Sequence, residues 1–301
     1  LVEIYKNSNY IEVKFKDNIN IILLIIFFKI ILQNLLSLRN YSIYKICANY
    51  KGKFIDWGQI FYEGLMFNTL LSHAGSVYRA IETKKRGLEY KQYSGIFYIL
   101  FASYILINVL LVTIELIFLK AVSFHFTISL LFTFLILFIS AIYLPKILQK
   151  ITQFDFFKIN IYKYEIIKKI FEIYNLIFSF IKSQIFLKKT IIYLLGYGII
   201  IHLLELYIFY ISSKIIQTEI VFQTVLILFG LSFILDRIPF ISNIPGISEA
   251  LFAGISISLG FFFYEGLILK LLLRITGIIS IVINYLIFYF LNLKNNISFF
   301  K

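Results

Sequence analysis

The stretch "GQIFYEGLMFNTLLSHAGSVYRAIETKKRG", Gly58 to Gly87, decides how the chain meets a bilayer. Its apolar part, Gln59 to Leu71, is roughly 13 residues long, whereas a helix needs about 20 to cross the ~30 Å hydrocarbon core. Lys51 and Lys53 precede it, and Lys84, Lys85 and Arg86 follow. Basic residues collect on the cytoplasmic side of a membrane protein. Charge at both ends of a short apolar run therefore predicts a segment that dips in and returns to the same face. The expected turn is at Ala74-Gly75, with Gly75 letting the backbone bend. Arg79 should then face a polar cavity, since a guanidinium against lipid is costly. Its fork of donors suits a lipid phosphate or the carboxylate of Glu249.

Working outward, 60% of the 301 residues are hydrophobic and 15% are charged. The mean hydropathy is +0.88. A soluble domain carries about a quarter charged residues. Continuous apolar runs exclude a β-barrel, whose strands alternate. The expectation is an all-α polytopic bundle forming one integral membrane domain over residues 1–301, with about seven spans and one or two re-entrant or broken helices. The spans fall near Ile19–Leu36 (with Lys29 inside), Ser94–Leu119, Phe126–Leu144, Thr190–Ser212, Ile216–Leu235, Ala250–Leu269 and Leu271–Leu293. A polar stretch, Leu38 to Gly58, follows the first.

The 29 basic and 16 acidic residues give a net charge of +13. Topology accounts for this excess better than nucleic acid does, because no aromatic-plus-basic recognition module accompanies it. Residues 146–189 hold nine lysines against Asp155, Glu165 and Glu172. Within them, "YEIIKKIFEIYNLIFSFIK" places apolar residues at helical spacing, as in an amphipathic helix on a cytoplasmic membrane surface. The tail "KNNISFFK" suits a cytoplasmic C-terminus.

Cys47 is the one cysteine, so no internal disulfide is expected, and His73, His125 and His202 lack metal-ligand spacing. No phosphate loop and no nucleophile–base motif is present. The reading is therefore non-enzymatic, with no cofactor. Charges and polar groups in or beside apolar runs are the candidates for function: Glu63, Asn68, Arg79, Glu115, His202, Glu205, Asp236, Arg237, Glu249, Glu265, Lys270 and Arg274. Asp236 and Arg237 close a span, Lys270 and Arg274 fall between two expected spans, and His202 and Glu205 share a helical face. Glu249 follows the break "DRIPFISNIPGISE", where a helix dipole favours a carboxylate with or without function. Each half thus holds one broken segment followed by charge, as transporters with a central site do.

Two stretches carry a family resemblance. "GLMFNTLLSHAGSVYRAIETKKRGLEYKQYSGIFYI" and "DRIPFISNIPGISEALFAGISISLGFFFYEGLILKLLLRITG" resemble the lysylphosphatidylglycerol synthase transmembrane family, a flippase-like membrane domain. Asn68, Gly75 and Arg79 match the first pattern. Pro239, Gly246, Glu249, Gly260 and Arg274 match the second in order. Leu71 and His73 stand where the family commonly has Pro and Arg, Ser76 where it has an acidic residue, and Ser242-Asn243-Ile244 where it has Pro-Gly-Gly. The second stretch is also similar to the quinone-site loop of a respiratory complex I membrane subunit, but lacks the acidic residues that loop needs.

The family resemblance implies a multi-pass inner (plasma) membrane protein that moves a membrane phospholipid or lipid-linked substrate between leaflets. It places Asn68, Gly75, Arg79, Pro239, Gly246, Glu249 and Arg274 in a headgroup-binding or structural motif. The chain has no polar run for the soluble domain that attaches an amino acid in multidomain relatives, so synthase activity does not transfer. The alternatives are an accessory subunit of a larger membrane complex, whose charges serve helix–helix contacts, and a membrane-embedded transferase. Convergence of Arg79, Glu249 and Arg274 on one cavity would favour transport.

Topology gives the first test. The loops at 79–91 and 146–189 should be cytoplasmic, and those at 120–125 and 213–219 external. In a Cys47→Ser background, a cysteine placed at Lys150 should resist a membrane-impermeant thiol reagent added outside. Labelling there would invert the assignment.

Overall fold

The computed structural model describes residues 15–71, 74–118, 176, 179–181, 183–184, 187–217, 219–236 and 246–298. All its regular elements are helices: α1 (Ile19–Ala48), α2 (Phe54–Leu70), α3 (Ala74–Lys85), α4 (Tyr90–Phe118), α5 (Lys188–Ile216), α6 (Phe222–Leu235), α7 (Ile247–Ile257) and α8 (Phe263–Ser298). Among these, α1, α4, α5 and α8 are long and apolar enough to cross a membrane. Helix is the form such runs must take, because only there is every backbone polar group bonded within the segment. The protein is an all-α helical membrane protein. The expected span Phe126–Leu144, nearly all of the basic segment 146–189, and Arg237, Pro239, His73 and His125 lie outside the described residues.

Besides the expected span Ile216–Leu235, which is only the 14-residue α6 and shorter than the four long helices, three boundaries differ from the sequence reading. α1 continues through Arg39 and Lys45, where a polar stretch was expected. Arg39 is buried with its guanidinium 5.3 Å from the centre of the Tyr104 ring, so its charge does not end the helix. The expected break between Leu269 and Leu271 is absent, since α8 runs unbroken through both. One lysine between leucines has good helix propensity. The break falls instead at Ser258–Phe262. Gly260 adopts a left-handed φ of +89°, its N–H bonds the Ile257 carbonyl at 3.1 Å, and the Phe261 N–H bonds that of Ser256 at 3.1 Å. This is a Schellman stop, which glycine permits without strain. The expected span Ala250–Leu269 is therefore two pieces.

The third difference concerns the re-entrant hairpin. α2 ends at Leu70 and α3 begins at Ala74, so Gly75 lies inside a helix and is not the bend. It serves close approach: a Cβ there would strike the Gly64 carbonyl on α2, and one on Gly64 would lie 2.8 Å from Cγ of Arg79. The Asn68 side-chain oxygen accepts from the Gly75 N–H at 2.8 Å, satisfying a donor that the start of α3 leaves open.

The chain divides into two compact units. One comprises residues 1–38, 53–79 and 200–301. Within it, α8 packs against α2 and α7, and α6 against α7. Trp57, almost fully buried, donates its indole N–H to the Ser37 carbonyl at 3.1 Å and fixes the start of the hairpin. The other comprises residues 39–52 and 80–199. Its core holds Tyr44 stacked on Tyr93, and Cys47 beside the Thr190 hydroxyl at 3.5 Å.

Overpacking a tight contact costs about 1–3 kcal/mol. Gly75→Ala should destabilise the detergent-solubilised protein by that amount in thermal unfolding. Gly254→Ala, on α7 with open space around it, should be neutral or slightly stabilising. Equal melting of the two variants would remove the close-approach role from Gly75.

Candidate functional site

Two consecutive turns of α8 present Lys270 and Arg274, four residues apart and so on one face. Lys270 is buried, yet its ammonium donates to the Asp236 carboxylate at 2.7 Å and the Ser232 hydroxyl at 2.6 Å, and lies 5.5 Å from the centre of the Phe252 ring. Arg274 donates to Oε1 of Glu249. The other oxygen, Oε2, accepts from the Gly246 N–H at 2.9 Å. Gly246 reaches that geometry at φ +94°, in the left-handed region. Ser248 closes the group by donating to Asp236 at 3.3 Å. The last residue before the second break and the third helical residue after it are thus each held to α8 by an ion pair.

The arrangement answers a cost. A charge in a low-dielectric interior needs a partner and further hydrogen bonds. The Glu249 side chain is only 3% exposed, while Arg274 keeps 37%. The carboxylate is sealed in and the guanidinium is offered outward. Lys29 adds a third cation: it donates to the Leu273 carbonyl and lies within electrostatic range of Lys270, Asp236 and Glu205.

From this cluster a polar seam continues along α8. Gln33 donates to the Ser280 hydroxyl at 2.6 Å and to the Gly277 carbonyl at 3.1 Å. Asn34 and Asn284 share a 2.7 Å bond, Asn284 donates to Gln33 at 3.1 Å, and the Tyr62 hydroxyl donates to Asn34 at 3.0 Å. Asn292 donates to Gln59, which donates to Glu63 at 2.8 Å, and Glu63 also accepts from the Tyr78 hydroxyl. From Lys270 to Asn292 the seam spans roughly 33 Å of helix at 1.5 Å per residue, about the thickness of a hydrocarbon core.

The motif residues fall into two groups. Gly246, Glu249 and Arg274 meet at the second break; Asn68, Gly75 and Arg79 meet in the hairpin. Arg79 is 8% exposed, packs over the Phe61 ring at 5.5 Å and donates to Ser76 at 3.4 Å. Its neighbour across the hairpin is Phe61, next to Tyr62, whose ring meets Phe288. Arg274 lies fourteen residues before Phe288, roughly 20 Å along the axis. Glu249 bonds Arg274 rather than the expected Arg79, because the Gly246 turn aims its carboxylate at α8. Lys270 and Arg274, expected between two spans, lie within one helix.

Other candidates have local roles. Glu265 accepts from the Phe262 N–H at 2.9 Å and caps the start of α8. His202 is fully buried, edge-on to Phe229 at 5.5 Å. Glu115 lies on α4, in the other unit. Lys29, Gln33, Asn34, Asn284 and Asn292 were missed as site candidates, although a lysine and amides inside apolar runs carry the signal that marked the others. Among the described residues no group of His, Cys, Asp and Glu is placed to hold a metal ion. No protein-family model, curated protein or solved structure matches the chain.

Removing one partner of a buried pair strands the other. Arg274→Leu should lower stability by about 3 kcal/mol, the lower end for such pairs because Arg274 is partly exposed. Adding Glu249→Leu should restore much of the loss. A double variant as unstable as the sum of the singles would show that the pair is not coupled.

Proposed function

We propose that this protein moves a lipid or lipid-linked intermediate with an anionic headgroup between leaflets, without covalent chemistry. The seam from Lys270 to Asn292 carries the reading. Polar and charged groups are expensive in a membrane interior and mark substrate paths. A run of them about one hydrocarbon thickness long ties α8 to its neighbours, and the partly exposed arginine near one end is where a headgroup whose acyl tails stay in lipid would be met. The guanidinium of Arg274 can grip a phosphate through two parallel hydrogen bonds when Glu249 yields it. Arg79 does not join Glu249 and Arg274, since its guanidinium lies over Phe61 in the hairpin, and this lack of convergence counts toward the accessory-subunit reading. Resemblance to the flippase-like family supports the same function and an inner-membrane location, and the basic start of the tail supports a cytoplasmic C-terminus.

Reconstitution in liposomes tests it. The protein should accelerate leaflet exchange of fluorescent anionic or aminoacylated lipids. Arg79→Lys and Arg274→Lys keep the charge but lose the fork, so each should slow exchange about tenfold, the equivalent of ~1.4 kcal/mol, while expression stays normal. No acceleration for any headgroup would favour the accessory-subunit reading.

A further inference from the structure

Lys29 is the one charged side chain of α1 before Arg39. It lies roughly 15 Å along the helix from Ile19, at 1.5 Å per residue, a costly depth for a cation. A lysine in a membrane helix ordinarily lays its stem along apolar surface and carries its ammonium toward water. This one turns to the neighbouring helix instead. Its ammonium donates to the Leu273 carbonyl on α8. Gly277, one turn on, leaves it room, since a Cβ there would already lie 3.4 Å from Nζ.

Among the described residues that is the one hydrogen bond Lys29 makes, and an ammonium has three donors. Asp236 and Glu249 are bonded to Lys270 and Arg274. Asp236 and Glu205 attract Lys29 at longer range, and Lys270 opposes them. Leu273, which anchors Lys29, precedes Arg274, so an ammonium with spare donors and a partly exposed guanidinium are held at consecutive residues of α8. Ile278 lies one turn past Arg274 on the same face and is exposed. The surface beside the two cations is therefore apolar and open, as the tails of a lipid require.

The two cations suit different parts of an anion. Arginine presents a planar fork that matches two oxygens of one phosphate. A phosphodiester has two free oxygens and one charge, and the fork satisfies it. A phosphate bound through a single ester has a third strong acceptor oxygen and close to a second negative charge. A compact ammonium with unused donors is the natural partner for both.

We propose that Lys29 and Arg274 form a two-cation site that prefers a terminal phosphate, as in a phosphomonoester or diphosphate headgroup, over a phosphodiester. This rests on the reading of Arg274 as a headgroup contact and names the class of lipid it takes. Lys270 stands outside the site, because Asp236 and Ser232 close its ammonium.

Equilibrium binding tests the site without recourse to leaflet exchange. Short-chain phosphatidic acid and phosphatidylglycerol carry the same tails on a monoester and a diester. In native mass spectrometry of the detergent-solubilised full chain, the parent should bind phosphatidic acid about tenfold more tightly, the equivalent of one charge-assisted hydrogen bond. Lys29→Gln should bind the two lipids equally, by weakening phosphatidic acid alone, and Lys29→Arg should keep most of the preference. Equal affinities in the parent would overturn the inference; this comparison needs no variant and stands should Lys29→Gln fold poorly. A preference that survives in folded Lys29→Gln would overturn it too. Inorganic phosphate at the same concentration should not displace phosphatidic acid; displacement would keep the two-cation site and overturn its lipid source. Liposome exchange judges the transport reading separately. A binding preference without exchange would remove transport and leave the site, and exchange without a preference would leave transport and remove the site.

Discussion

The architecture of the first unit depends on one constraint: a polar side chain withdrawn from water into an apolar helix bundle must find its partner on another helix. α8 is where most of those partners lie. Its successive turns meet Asp236 and Glu249 at the second break, Lys29, Gln33 and Asn34 on α1, and Gln59 on α2. Since hydrophobic attraction between helices is weak in lipid, these bonds and the close glycine contacts fix register. A shift of α8 by one turn would leave Lys270 facing no carboxylate and Asn284 facing no amide.

Glycine solves two different problems. At Gly246 and Gly260 it supplies a positive φ. The first aims a backbone N–H at Glu249, and the second stops α7 so that α8 can start afresh. At Gly64 and Gly75 the backbone is ordinary helix and the missing Cβ matters, because it lets α2 and α3 touch through their main chains. Both uses look alike in sequence. For this reason Gly75 reads as a bend when the residues are taken alone, although the turn precedes it.

Helical class, the apolar runs and the pairing of a short hairpin with a second broken segment were all legible, because they follow from length and hydropathy. Glu249 and Arg274, expected together with Arg79, do meet, whereas Arg79 stays in the hairpin over Phe61. The direction of Glu249 was not legible, because it depends on the backbone angle at Gly246 rather than on any spacing. The unbroken course of α8 past Lys270 was hidden for a related reason. A lysine between two apolar runs reads as a water-facing boundary until Asp236 and Ser232, more than thirty residues earlier, are seen to cover it. Likewise the seam is a property of pairs such as Gln33 and Ser280, nearly 250 residues apart, and no local pattern announces such a pair.

The two broken segments meet the same cost by different chemistry. At the second break, carboxylates are matched by full cations, and Coulomb attraction that strengthens as the dielectric falls holds the ends of the break to α8. In the hairpin, a single carboxylate is held by a tyrosine and a glutamine, neutral donors whose bonds are weaker than ion pairs. An ion pair fixes the charge of both partners, because neutralising either strands the other. Neutral donors impose no such lock. The first arrangement therefore suits an anchor that yields only to a competing anion, and the second is a weaker tie between the two arms of the hairpin.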